Sequence, residues 1–151
     1  MATTVRSPDE FHALSGQHLG WSDWLVVDQA RVNLFADATD DHQWIHVDPE
    51  RAARGPFGGP IAHGYLTLSL IPGLSGGMLP VKGVTRGINY GSDKVRFINM
   101  VRVGKRVRLR QTLIGVEPKS GGTQIKNLCT IEIEGEDKPA CVAETISVVY
   151  T

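Results

Sequence analysis

Two residues of types that activate water stand close together in the first third of the chain. Residues 39–46 read Thr-Asp-Asp-His-Gln-Trp-Ile-His, so the carboxylate of Asp41 and the imidazole of His46 are five positions apart. Such a pair can hold one water molecule, with the carboxylate as general base and the ring as its orienting partner. Residues 62–64 then read Ala-His-Gly, and the N–H of Gly64 can receive the negative charge that develops on a substrate carbonyl. The combination predicts chemistry on an acyl thioester.

Each of these residues also has a plainer interpretation. An isolated aspartate and histidine in a loop usually form a helix cap or a surface pair, and only the downstream glycine context favours catalysis. His42 and His46 have the i, i+4 spacing of some metal sites, but they stand in a predicted loop without a third ligand, so we expect no metal. His63 is either a substrate contact or a hydrogen-bonded structural imidazole. Gly64 either serves the substrate or permits close packing of a helix.

Helices are predicted on both sides of the candidate pair. Asp28 is a suitable N-cap for a helix that is expected to end near Thr39. Asp48 and Pro49 mark the start of a second helix, because an aspartate cap satisfies free N–H groups and the fixed φ of proline suits the first helical position. Gly-Pro at 55–56 is expected to stop that helix. The catalytic pair is therefore expected on a short loop anchored at each end.

A longer helix is predicted downstream of this loop. The apolar run 64–71 fits either a buried strand or a buried helix by its period. We favour a helix as far as Leu74, because Pro60 and Gly64 lead into it and β-branched residues do not dominate. Pro72 is expected to perturb its end. Apolar residues nearly all round predict that the rest of the fold encloses this helix.

Strands dominate the second half of the chain. An opening strand is expected at 19–27, and four strand-like segments separated by turns follow at 84–99, 105–117, 123–135 and 139–150. We expect these four to form an antiparallel meander around one long central helix. Because the strands cluster after the helices instead of alternating with them, the fold class is predicted to be α+β.

The composition excludes several kinds of partner. A chain of 151 residues, 41% hydrophobic and 21% charged, fits a single domain over residues 1–151. Sixteen basic residues balance sixteen acidic ones, so no overall field attracts nucleic acid or a membrane. Residues 1–11 lack the apolar core of a secretion signal and no later run is long enough to cross a bilayer, which predicts a cytoplasmic protein. Cys129 and Cys141 lack metal-ligand spacing, so buried reduced thiols are expected.

From about Gly20 to Tyr150 the sequence resembles the MaoC-like, R-specific enoyl-CoA hydratase family. The family pattern is Gly-Asp, any residue, Asn-Pro, an aliphatic residue and His, with a His-Gly downstream. Residues 40–46 and 63–64 correspond to these two motifs. Within the family the chain is most similar to the small stand-alone hydratases often grouped with nodulation-protein-N-like dehydratases. The resemblance implies a hot-dog fold, in which an antiparallel sheet wraps a central helix.

Three residues depart from the family pattern. Asp40 replaces its glycine, Gln43 its asparagine and Trp44 its proline. Gln43 keeps a carboxamide that can tie the loop together. Adjacent side chains usually point apart, so Asp40 is expected to be solvated. Asp41 alone has the family's spacing to His46 and takes the catalytic role.

The resemblance also implies an activity, which is addition of water to 2-enoyl-CoA and the reverse dehydration of 3-hydroxyacyl-CoA. Asp41 would act as base, His46 would hold the water, and the Gly64 N–H would bind the thioester oxygen. No redox cofactor or metal is implied, since coenzyme A is part of the substrate. Members of the family form homodimers by joining sheet edges, which suits a small sheet with an open edge.

Other residues and other functions stay open. Arg106, Arg108 and Arg110 alternate along one strand, where they either meet the phosphates of coenzyme A or form a solvated outer face. Tyr90 and Phe97 are candidates for lining the acyl or pantetheine channel, although aromatic residues in strands usually belong to the core. The candidate residues on the substrate side are Gly64, His63, Gln43 and Tyr90. The alternative functions are a hot-dog acyl-CoA thioesterase and a noncatalytic acyl-thioester-binding module.

Overall fold

An antiparallel sheet is the main element of the structure, a computed structural model that describes residues 10–76 and 83–151. Its strands are β1 (His18–Trp21), β2 (Leu25–Val26), β3 (Arg86–Phe97), β4 (Arg106–Lys119), β5 (Gly122–Ile133) and β6 (Cys141–Tyr150). The described helices are α1 (Glu10–Leu14), α2 (Gln29–Thr39), α3 (Trp44–Val47), α4 (Pro49–Ala53), α5 (Gly64–Ser69) and α6 (Ile71–Ser75). The predicted α+β class is confirmed.

The order of strands in the sheet is β1-β4-β5-β6-β3, with β2 also paired to β4. The predicted meander is right for β4 to β6 and wrong for β3, which pairs with β6 and not with the next strand along the chain. The reason is that β5 takes one edge of β4 while β1 and β2 take the other. The expected strand at 19–27 is present in two pieces, β1 and β2. In consequence β3 lies at an edge of the sheet.

The predicted helix starts before and after the segment that carries Asp41 and His46 are confirmed. An Asp28 carboxylate oxygen accepts from the Arg31 N–H at 2.8 Å, and one from Asp48 accepts from the Arg51 N–H at 3.1 Å. Helix α2 ends at Thr39 as expected. The loop between the end of α2 and Asp48 is shorter than predicted, because residues 44–47 form the single turn of α3. His46 therefore stands on a helical turn, which gives it a more fixed backbone than a loop would.

The predicted central helix is present but interrupted. It consists of α5 and α6 with Leu70 between them, still in helical conformation at φ −74° and ψ −18°. Pro72 has no N–H to donate to the preceding turn, which accounts for the break. The expected enclosure on all sides is wrong. Leu66 and Ile71 are buried against the sheet, whereas Tyr65 on the outer side is 69% exposed, because the sheet covers only one face of the helix.

Both cysteines lie in the core and are free, as predicted. Burial raises the pKa of the Cys129 thiol and raises that of Cys141 to about 11. Protonated, enclosed thiols are poor nucleophiles and poor metal ligands. The cysteines therefore belong to the packing of the sheet.

No helix among the described residues has the length and apolar character needed to cross a membrane. The expectation that residues 1–11 carry no secretion signal concerns a segment of which residues 1–9 lie outside the described part of the chain.

Candidate active site

Asp41, His46 and His63 converge at one place in the fold. A carboxylate oxygen of Asp41 and a ring nitrogen of each histidine all lie within 4.8 Å of one another. His46 and His63 are 6% and 3% exposed, while the Asp41 side chain is 52% exposed. The two residues that the sequence paired are thus brought together, with the carboxylate facing solvent and the imidazole at the inner side.

Asp40 makes the turn that places Asp41. It follows α2 in the left-handed conformation, at φ 61° and ψ 19°, which glycine adopts freely and aspartate tolerates better than most residues. This explains how aspartate replaces the family's glycine here. Its side chain is exposed, as predicted. The Gln43 carboxamide is exposed and does not tie the loop as expected; its backbone N–H makes a long contact of 3.4 Å with Asp41 Oδ1 instead.

The protonation of the His46 ring follows from its hydrogen bond. Nδ1 lies 2.6 Å from the carbonyl oxygen of Ile61, which can only accept, so Nδ1 carries the proton. Burial lowers the pKa of His46, which favours the neutral ring. Nε2 is then left with a lone pair that can accept a hydrogen bond. The Gln29 side chain fixes the backbone of this turn, because its Nε2–H donates to the backbone carbonyl of His46 at 2.8 Å.

His63 joins the Asp41 segment to the start of α5. Its Nε2–H donates to the backbone carbonyl of Asp41 at 3.0 Å. Its ring stacks on His46, with centroids 3.9 Å apart and planes 25° apart, and tilts against Phe35 at 4.9 Å. Of the two interpretations of His63, these contacts favour the structural imidazole. The His63 ring thus contacts both Asp41 and His46 and holds them in their mutual position.

The same three residues are poorly arranged for a metal ion. Lone pairs of two stacked imidazoles lie in nearly parallel planes, so they do not converge on one tetrahedral centre. One nitrogen of each ring is also committed to a backbone carbonyl. His42 points away from the cluster and hydrogen-bonds Asp37 at 2.9 Å. The absence of a metal stays a prediction, and the geometry supports it.

Gly64 directly follows His63 and is the first residue of α5. A first helical N–H has no partner within its helix, so it is available to a ligand. A Cβ at this position would lie 3.0 Å from the Phe97 ring, closer than side chains normally approach. Glycine is therefore required for packing against Phe97, whether or not a substrate also uses the N–H. Both interpretations of Gly64 remain after the structure is known.

Trp44 has a structural role in place of the family's proline. The Arg51 guanidinium lies 4.4 Å from the centre of its ring, and a Cβ at Gly55 would lie 3.0 Å from the indole. The indole thus packs on α4 and on the turn that follows it. Because Trp44 and His46 share the single turn of α3, this packing also anchors the backbone that carries the His46 ring.

The remaining predicted residues lie away from the pair. Tyr90 lines a cavity of about 620 Å³ between α5–α6 and the sheet, and its hydroxyl lies 3.0 Å from Lys119 Nζ. Arg106 is paired with Glu134, and Arg108 with Glu132 at 2.8 Å across neighbouring strands. These pairings favour the solvated outer face over a phosphate site for the two arginines.

The two histidines of the 40–46 segment are expected to titrate in opposite directions. Burial holds the pKa of His46 below its ordinary 6.5, whereas the hydrogen bond to Asp37 raises that of the exposed His42 above it. Histidine NMR titration should therefore show one ring protonating above pH 6.5 and the other still neutral there. Between pH 6.5 and the folded pKa of His46 the unfolded chain binds more protons at this position, so its contribution to the free energy of unfolding falls as the pH falls.

Spectra of His42→Gln and His46→Gln would assign the two signals. A His46 signal that titrates at or above pH 6.5 would contradict the neutral ring that burial favours.

Comparisons with known proteins concern the chain as a whole. The sequence model described as MaoC like domain matches residues 10–134. A 3-hydroxyacyl-thioester dehydratase Z of Mycobacterium tuberculosis is 56% identical over 144 residues, 95% of this chain and 95% of that protein. Nodulation protein N of Rhizobium leguminosarum bv. viciae is 48% identical over 137 residues, 89% of this chain and 85% of that protein. The (R)-hydratase from A. caviae involved in PHA biosynthesis superposes with a TM-score of 0.70 at 28% identity, covering 88% of this chain and 94% of that chain.

Proposed function

The chain belongs to the MaoC-like family of hot-dog dehydratases and hydratases, and from this premise we propose that it adds water R-specifically to 2-enoyl-CoA and dehydrates 3-hydroxyacyl-CoA in reverse. One observation carries the proposal, which is the meeting of the Asp41 carboxylate with the buried His46 ring and with His63, the residue that precedes Gly64. The names of the relatives support it further, since they include a 3-hydroxyacyl-thioester dehydratase and (R)-specific hydratases.

The pair is suited to hold one water by both of its hydrogens. Two acceptors that each lie about 2.8 Å from a shared water are about 4.4 Å apart when its H–O–H angle is kept. The carboxylate oxygen and one nitrogen of each ring lie within 4.8 Å of one another, which leaves room for such a bridge. With one O–H donated to Asp41 and the other to His46 Nε2, the water directs a lone pair outward. That lone pair is what must reach C3 of an enoyl thioester.

The addition then balances without a further reactant. The water oxygen bonds to C3 while Asp41 takes its proton, and the electrons of the double bond move towards the thioester carbonyl. The Gly64 N–H donates to the oxygen on which negative charge develops. The proton held by the pair is delivered to C2 on the same face, which restores the carboxylate. Carbon, hydrogen and oxygen balance with no change of oxidation state, so the reaction requires no redox cofactor.

We also propose that the chain acts as a homodimer joined through β3. Within the described residues this strand pairs only with β6, and it exposes Ile88, Tyr90 and Phe97. A twelve-residue edge strand with exposed apolar residues, and with one side free in the part of the chain that the structure describes, offers its backbone to another chain. Analytical ultracentrifugation should give twice the mass of the chain, and Ile88→Glu should shift the protein towards the monomer. A monomeric parent protein at micromolar concentration would contradict the dimer.

The remaining proposals concern organisation and location. We propose a single domain over residues 1–151 and a cytoplasmic location, because both buried cysteines are free, as in reducing compartments. Fractionation of cells with an antibody against the chain tests the location, and recovery outside the cytoplasm would contradict it.

The function is tested by following the ultraviolet absorbance of a conjugated enoyl-CoA with the purified protein. Loss of absorbance with formation of the R-3-hydroxyacyl product, and without free thiol, is the expected result. Release of free coenzyme A from a saturated acyl-CoA would instead indicate a thioesterase. Binding of acyl-CoA with neither reaction would indicate a noncatalytic module. Formation of the S-3-hydroxyacyl product would contradict the proposed R-specificity and leave the proposed hydration intact.

A further inference from the structure

Two carboxamides are buried in the sheet without the partners that burial normally demands. Gln111 on β4 is 5% exposed and Asn127 on β5 is 8% exposed. Within the described residues, the buried Oε1 of Gln111 and Oδ1 of Asn127 accept no hydrogen bond. A buried polar group without a hydrogen-bond partner is destabilising. Two such carboxamide oxygens on one face of a sheet indicate that a ligand binds them.

These residues form a polar band that divides the core. Asn127 stands directly opposite Thr145 on β6, and Gln111 is its diagonal neighbour on β4. On one side of the band is an apolar cluster that includes Leu109 and Ile131, and on the other is a separate cluster around Leu113. A sheet face selected only for packing would carry apolar residues across this position. The band is therefore better explained by a ligand than by the core.

The band faces the cavity of about 620 Å³ below the central helix. Gln111, Asn127, Thr145 and Ser147 line its sheet side, and Leu68 and Ser75 line its helix side. Hydroxyls and carboxamides thus face a space large enough for part of a small ligand. Both residues line the cavity although their carboxamide oxygens have almost no accessible surface, so a ligand in the cavity reaches those oxygens when the side chains rotate towards it.

The cavity lies along the helix stripe that begins at the proposed oxyanion glycine. Residues that follow Gly64 by four, seven, eight and eleven positions share its face of a helix. These are Leu68, Ile71, Pro72 and Ser75, and all four line the cavity. Gly64 itself does not line the cavity, so an acyl chain whose thioester carbonyl binds there reaches the cavity by following this stripe. The first turn alone carries the chain about 6 Å along the helix axis.

We propose, building on the proposed hydratase function, that this cavity holds the acyl chain and that Gln111 and Asn127 bind a hydroxyl group on it. A hydroxyl donates to one carboxamide oxygen and accepts from the nitrogen of the other carboxamide, so it contacts both side chains and pairs one of the two oxygens. A carboxylate on the ligand is unsuitable, because its oxygens only accept hydrogen bonds and so cannot pair with the carboxamide oxygens of Gln111 and Asn127. The preferred substrates are therefore 2-enoyl thioesters whose chain carries a hydroxyl beyond C3, in preference to plain aliphatic chains of the same length.

The test compares matched pairs of 2-enoyl-CoA substrates of graded length, each with and without a terminal hydroxyl. At one length the hydroxylated member should have a kcat/KM about tenfold higher, the effect of one well-placed hydrogen bond. The Gln111→Met/Asn127→Leu double variant should reverse that preference. Gln124→Met, on the opposite face of β5, is the matched control and should keep it.

A binding measurement separates this inference from the proposed function. Calorimetry with saturated acyl-CoA and its terminal-hydroxyl analogue should show the same preference without requiring turnover. Turnover of enoyl-CoA with equal kcat/KM and equal affinity within every pair would overturn the hydroxyl site and leave the hydratase function intact. A lowered melting temperature of the double variant together with equal affinities would likewise overturn it, because the carboxamides would then be structural. Hydroxyl-selective binding without turnover would support the site and refute the hydratase function.

Discussion

Asp41→Asn and His46→Gln are each expected to lower kcat for enoyl-CoA hydration by about 10²–10⁴-fold, the usual contribution of a positioned acid or base. Asparagine keeps the size of the side chain but cannot take the proton of the water. Glutamine cannot reproduce the neutral ring whose Nδ1 is fixed by the Ile61 carbonyl at 2.6 Å. Because both residues hold one water, the double variant is expected to be little worse than either single variant. Steady-state kinetics on the absorbance assay measure all three.

Asp40→Asn is the matched control for the first substitution. It removes an adjacent carboxylate that is exposed, and asparagine tolerates the left-handed backbone at this position. Its kcat should stay within about twofold of the parent, whereas melting temperatures of all variants report whether the fold is kept. If Asp40→Asn lost as much activity as Asp41→Asn, the assignment of the base to position 41 would be wrong. If the losses in kcat of Asp41→Asn and His46→Gln multiplied in the double variant, the two residues would not hold one shared water.

The helix boundaries around this pair were predictable because their determinants are local. Asp28 and Asp48 cap helices through N–H groups three residues away, so neighbouring sequence contains the whole interaction. The strands were predictable for the same reason, since alternation and turns are read within a few residues. The pairing of β3 with β6 was not, because it depends on which edges remain free once the other strands have paired.

In the candidate site too, local features were predictable from the sequence and tertiary contacts were not. The spacing of Asp41 and His46 identified the pair, yet nothing in that spacing indicates the hydrogen bond from the ring to Ile61 or the one from Gln29. A backbone carbonyl has no signature in a sequence, and Gln29 resembles any polar residue in the first turn of a helix. His63 was placed near the site by its neighbour Gly64, but its role as a stacked support became visible only from the ring geometry.

The stacking of His63 on His46 both stabilises the fold and fixes the ring that is proposed to hold the water. The two buried rings stack, each donates to a backbone carbonyl, and Phe35 closes the far side of His63. A ring held in this way has little freedom to turn, so Nε2 of His46 is presented to water in one orientation. Such preorganisation lowers the reorganisation required when the proton moves. Only the Asp41 side chain, half-exposed, is left with freedom to adjust to a substrate.

Gly64→Pro is expected to lower kcat by about 10²–10³-fold when it is compared with Gly64→Ala, the typical effect of removing one oxyanion donor. Proline is well suited to this position in other respects. It is favoured at the first residue of a helix, and His63 before it already has the extended φ of −61° and ψ of 139° that a following proline requires. The substitution therefore removes the N–H while leaving the backbone path unchanged. Stopped assays of the purified variants measure the difference.

Both substitutions must be made in a Phe97→Ala background, because any Cβ at position 64 would lie 3.0 Å from the Phe97 ring. In that background the alanine variant tests the packing role of Gly64 and the proline variant tests its N–H. A loss confined to kcat, with KM little changed, would show that the hydrogen bond forms in the transition state. Equal kcat values for the proline and alanine variants would mean that the thioester oxygen is stabilised elsewhere, and Gly64 would then be a glycine only because Phe97 packs against it.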